Sequence, residues 1–252
     1  MMSKLSTLDT VPHHPILEDV VATLCTMTQN NDPKFFRVIG VYFFAKMAAS
    51  MNAKISCPVF LDDIPVNVYS VALATSGFGK GYSVNIMENQ FLSGFAKRFK
   101  KDTFPLVSDT NMWKRAIESA ALNGTEEEEE RTKLDGQFRK AGPVPFTFDS
   151  GTPAAVKQVR EKLLLADIGA INLQIDEIGS NLISSTDILN VFLELYDQGR
   201  LKTKLIKNTN ENERAEEIDG KTPANALLFG TPSKLMDGSI TERAFFDFLE
   251  TG

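Results

Sequence analysis

Residues 66–99 read without a break as a buried strand, a glycine-rich turn and a helix. The strand is VNVYSVALA (66–74), an uncharged run of β-branched and small apolar residues of the kind buried on both faces of a sheet. Gly77, Gly79 and Gly81 follow within eight residues of its end, and beyond them Val84, Ile86, Met87, Phe91, Phe95 and Phe99 return at helical spacing. A strand that passes to a helix through so short a turn belongs to neither a β-sandwich nor a helical bundle. It predicts an α/β protein with a mainly parallel sheet and helices on both faces.

The turn itself, ATSGFGKG (74–81), has the chemistry of an anion cradle. Glycines let the backbone wrap a phosphate with its N–H groups inward, the helix start adds a favourable dipole, and Lys80 adds a point charge. Ser76, Gly77, Phe78, Gly79, Lys80, Gly81 and Tyr82 are therefore the candidate nucleotide-binding residues, with Lys80 also a candidate catalytic group. The match to G-x-x-x-x-G-K-[ST] departs at both ends: Ala74 replaces the first glycine, and Gly81 replaces the hydroxyl that would ligate Mg²⁺. Ser83 lies two residues further on, about 200° around the helix, and cannot simply take that place. The alternative is an ordinary strand–helix turn carrying a surface lysine.

Two further strand ends add polar groups. AINLQI (170–175) runs into Asp176 and Glu177, a pattern that sets one carboxylate for Mg²⁺ and the next to activate water. ALLF (226–229) runs into Gly230, Thr231 and Pro232, which makes Thr231 a candidate sensor of a terminal phosphate. At the carboxyl ends of a parallel sheet all three would face the same crevice. A solvated acid pair and a plain turn are the competing interpretations.

Elsewhere the pattern is helical. Ile16, Val20, Leu24 and Met27 form one stripe, and Asp32-Pro33 reads as an N-cap and first turn opening a second, largely buried helix to about Met51. The expected division is a helical N-terminal region, 1–62, followed by a core, 63–252. Helices are also predicted over 109–122, with Trp113, Ala116 and Ile117 inward, and over 152–165, 184–197 and 241–250; 144–148 reads as a strand. The five glutamates at 126–130 read as a mobile loop or frayed helix end. With 27 basic and 33 acidic residues the net charge is −6, which excludes a surface basic throughout and leaves two local clusters, Lys97-Arg98-Lys100-Lys101 and Arg200-Lys202-Lys204-Lys207, as nucleic-acid candidates. Cys25 and Cys57 read as reduced thiols, and adjacent His13 and His14 do not suggest a zinc site. No secretory signal or membrane span is expected, so the reading is a soluble cytoplasmic protein.

Four stretches in this order, SGFGKG (76–81), DSGTPAAV (149–156), LQIDEIGSNL (173–182) and LLFGTPSKL (227–235), resemble the P-loop ATPase family of phage and mobile-element primase-helicase proteins. Ala154 and Ala155 follow Pro153 where that family has Glu. The resemblance implies a RecA- or AAA+-like core, ATP with Mg²⁺, a homo-oligomeric ring, movement on DNA (single-stranded above all), and host cytoplasm if phage-encoded. It also implies an arginine from a neighbouring subunit. Arg243 is the only arginine after Thr231, so a last core strand and that arginine are expected to lie outside this chain. A nucleotide-dependent assembly or loader module and a DNA-packaging motor remain the alternatives.

Overall fold

The structure is a computed structural model describing residues 12–56, 58–59, 63–196, 199–201 and 218–251. The chain opens with helices α1 (Pro15–Thr28) and α2 (Pro33–Ser50), followed by a small antiparallel pair, β1 (Lys54–Ile55) and β2 (Ile64–Pro65). Asp32 caps α2 as its sequence predicts, accepting from the N–H groups of Lys34 and Phe35. Strand β3 (Tyr69–Leu73) leads through the glycine turn to α3 (Lys80–Ile86). The helical path then continues through a π segment (Met87–Leu92), α4 (Ser93–Arg98), a second π segment (Phe99–Thr103) and α5 (Phe104–Asn123). There follow α6 (Glu127–Lys140), α7 (Pro153–Ala166), β4 (Ile171–Ile175), α8 (Ile178–Tyr196), β5 (Ala224–Gly230), α9 (Pro232–Leu235) and α10 (Ile240–Thr251).

Among the described residues the main sheet has three parallel strands in the order β3-β5-β4. The last strand in sequence lies between the other two and is buried along its whole length. One face of the sheet (Ile171, Leu173, Ile175, Ala226, Leu228) packs under α7, α8 and α10, and the other (Ala72, Leu227, Phe229) packs under α1, α2 and α3. The protein is therefore a mixed α/β structure, rich in helix, with a small parallel sheet covered on both sides. Hydrophobic packing runs across the 62/63 boundary, because Phe35, Phe36, Ile39 and Phe43 share a core with the strands and the Tyr42 hydroxyl donates to the carbonyl of Leu173.

Several expectations change. The glutamate run does not form a loop: Glu127–Glu130 make the first turn of α6, where acids oppose the positive helix end, and Glu130 is buried against Thr125 and Lys133. On α5 the buried stripe is Ser108, Met112, Ala116 and Ala120, while Trp113 and Ile117 lie outside it and Arg131 stacks on the Trp113 ring. The strand expected at 144–148 is reduced to one bridge, Phe148 to Leu173, and the carbonyl of Phe146 accepts from the Asn172 side-chain amide instead of a backbone N–H of β4. Lys202, Lys204, Lys207 and Cys57 lie outside the described residues. No helix among the described residues is long and apolar enough to cross a membrane.

Candidate phosphate site

Strand register sets the site. Leu73 lies opposite Gly230 and Ile175 opposite Leu228, so the three carboxyl ends finish nearly level. The turn leaving β3 uses positive φ at Gly77 (80°) and Gly79 (94°), which an L side chain adopts only with strain, and a Cβ on Gly77 would meet nothing within 4 Å. Alternating backbone hands of this kind turn successive N–H groups to one side. Ser76, Gly77, Gly81 and Tyr82 are exposed and Phe78, Gly79 and Lys80 half-buried.

The N-terminal helices hold the turn from behind. The Asn30 amide donates to the carbonyl of Phe78 at 3.0 Å, the Phe78 ring meets Phe35 edge-on at 4.8 Å, and Thr28 lies 3.2 Å from where a Cβ on Gly79 would stand. No local pattern announces these contacts, since Asn30 is 48 residues from its partner.

Lys80 crosses to the central strand. Its Nζ donates to the carbonyls of Ala74 (3.0 Å) and Gly230 (3.4 Å) and to Thr231 Oγ1 (3.1 Å). Thr231 in turn donates to Glu177, through Oγ1 to Oε2 at 2.7 Å and through its backbone N–H to Oε1 at 3.2 Å. Lys80, Thr231 and Glu177, each from the end of a different strand, thus form one connected chain. Lys234, unforeseen in the sequence, adds its Nζ 3.7 Å from Glu177 Oε2. Its signal was its position one helical turn beyond Thr231. Burial alone would raise the Glu177 carboxyl, but the two hydrogen bonds from Thr231 and the charges of Lys234 and Lys80 outweigh it and hold the group below the ordinary glutamate value.

The residues present do not make a magnesium site of their own. Gly81 supplies no side-chain oxygen; Ser83 is fully buried and its hydroxyl donates to the Lys80 carbonyl at 2.7 Å. Both oxygens of Glu177 are engaged, which leaves Asp176 as one exposed carboxylate. Among the described residues no group of three or more His, Cys, Asp or Glu is placed to hold a metal. The donor set is thus poor in oxygen and rich in ammonium.

Cavities are found away from this site. An apolar one between β3, α8 and α10 is lined by Tyr69, Leu189, Phe192, Tyr196 and Leu249, toward the amino end of β3, and holds no charged group. Exposed Lys97, Arg98, Lys100 and Lys101 lie along the helical path beyond α3, and Arg243 is exposed on α10. Comparison with protein-family models, with curated proteins and with solved structures yields no match.

Proposed function

We propose that the chain is a P-loop ATPase module with a RecA/AAA+-like core, binding ATP at the carboxyl ends of β3, β5 and β4. The observation that carries this is the hydrogen-bonded chain Lys80–Thr231–Glu177, which links the glycine turn, a hydroxyl and a carboxylate at the ends of three parallel strands. A lysine, a glycine nest and a polar group on the adjoining strand suit a phosphate, and parallel sheets take their ligands at this end.

In this reading the backbone from Ser76 to Tyr82 and the Lys80 ammonium hold the phosphates. Thr231 turns its hydroxyl to donate a hydrogen bond to the terminal phosphate, which releases Oε2 of Glu177 to accept a proton from the attacking water. Asp176 stands exposed beside them without an assigned step. The wider reading, a motor of a phage-type replicative helicase or primase-helicase on single-stranded DNA, draws support from the order of the four sequence motifs and from the exposed basic residues Lys97, Arg98, Lys100 and Lys101.

A second reading, a nucleotide-dependent assembly module with little turnover, is favoured by Gly81 and by the engagement of both Glu177 oxygens. Binding of a fluorescent ATP analogue tests the shared claim: Lys80→Ala should weaken it by about a hundredfold, and unchanged binding would end the proposal. Turnover with and without single-stranded DNA then separates the two, with stimulation expected of a motor and Glu177→Gln binding ATP without hydrolysing it.

A further inference from the structure

The polar chain at the strand ends is flanked by two ammonium groups that are committed unequally. Lys80 is half-buried and has three oxygen acceptors. The Lys234 side chain is 55% exposed and faces Glu177 at 3.7 Å, too long for a firm hydrogen bond.

Yet the placement of Lys234 is built into the fold. Leu235, beside it, is fully buried, and a Cβ on Gly230 would come within 2.5 Å of its Cδ1. A Cβ on Gly179 would stand 3.1 Å from Lys234 Cβ and 3.2 Å from Glu177 Oε1, so α8 brings a residue without a side chain to the point where the Lys234 stem and the Glu177 carboxylate share space. The segment carrying Lys234 is fixed at its base, while its four-carbon arm is free to turn.

A bound triphosphate needs several positive charges. The usual supply is one lysine and a divalent ion held by a hydroxyl and a carboxylate. Here the hydroxyl position is Gly81, Ser83 is buried and occupied, and a second lysine stands beside the carboxylate.

We infer that Lys234 is a second phosphate-binding residue of this site, and that Lys80 and Lys234 together neutralise the phosphates well enough for ATP to bind without a divalent ion. The inference rests on the ATP-binding reading above. On nucleotide entry the Lys234 ammonium turns from Glu177 Oε2 to the terminal phosphate, exchanging one ionic contact for another with no covalent change, and Glu177 retains the backbone N–H of Thr231.

Titration of the full chain with a fluorescent ATP analogue, once with Mg²⁺ and once with EDTA, tests this. Affinity in EDTA should stay within about threefold of that in Mg²⁺, and Lys234→Met should lower it by about ten- to a hundredfold, with Lys234→Arg restoring most of the loss. The same loss should persist when Glu177→Gln is also present. Thermal unfolding checks that Lys234→Met folds, and Lys234→Gln is the second variant if it does not. Binding in Mg²⁺ that falls more than about threefold in EDTA, or affinity in EDTA that Lys234→Met leaves unchanged, would overturn the inference and leave the ATP-binding reading standing. An effect of Lys234→Met that vanishes beside Glu177→Gln would also overturn it, making Lys234 a positioning residue for that carboxylate. No binding in either condition would sink the ATP-binding reading and this inference together.

Discussion

At Gly81 the proposed phosphate site carries no side-chain hydroxyl. A Cβ there would meet nothing within 4 Å and the backbone is helical, so a serine fits without strain. On the ATP-binding proposal, Gly81→Ser is expected to raise turnover in Mg²⁺ by about tenfold or more and to make nucleotide affinity sensitive to EDTA, measured by phosphate release and analogue titration. Lys46 presents the opposite case, a charge-bearing group with no access to solvent. It is fully buried among Tyr42, Phe43 and Phe146, bonds Thr147 Oγ1 at 2.5 Å, and lies 4.0 Å from Glu88. Burial lowers its pKa from 10.5 to about 8, with the Glu88 charge opposing the shift only in part. Between those two values the folded protein holds fewer protons than the unfolded chain, so stability rises with pH across that window. Lys46→Met should abolish this alkaline gain and add about 1–2 kcal/mol near neutral pH, read from denaturant unfolding at a series of pH values. Unchanged pH dependence would show that Lys46 is solvated.

Among the elements, the pairing of β4 with β5 is keyed by a buried polar contact. Asn225 Nδ2 donates to Asn172 Oδ1 at 3.1 Å, Asn225 Oδ1 accepts from the Val68 N–H at 2.9 Å, and Asn172 donates to the carbonyl of Phe146. A one-residue slip would bury both amides without partners, so the pair fixes the register that levels the strand ends. Asn225→Leu leaves the Val68 N–H and Asn172 Oδ1 unsatisfied and should cost about 2–3 kcal/mol, measured by thermal unfolding. The strand–turn–helix unit was legible because each part carries its own local pattern, and Asp32 and the helix that opens after Thr152 were legible for the same reason. Trp113 was misplaced because Trp113 and Ile117, one turn apart, imitate a core stripe, whereas the buried stripe on the adjoining face of the same helix is made mostly of smaller residues, Ser108, Met112, Ala116 and Ala120. The glutamates of α6 were misread because a like-charge run and an acidic first turn look the same until a helix follows. Lys234 and Asn30 escaped because their roles depend on packing between distant segments: Asn30 reaches across 48 residues to Phe78, and Lys234 lies beside Glu177.

Over the whole molecule, the glycine turn rests on helices that precede the sheet, so the site is a product of the entire chain and not of its three motifs alone. The order of assembly follows from the central position of β5. Strands β3 and β4 each pair with β5 and not with each other in the main sheet, although residues 224–230 come last. A chain cut at residue 220 therefore lacks the strand that joins the main sheet, and it should show helical signal without a cooperative thermal transition. On the ribosome, β3 emerges long before the strand that joins it to β4. Until β5 is made the apolar edge of β3 has no partner in the main sheet, an exposure of the kind that invites wrong pairing.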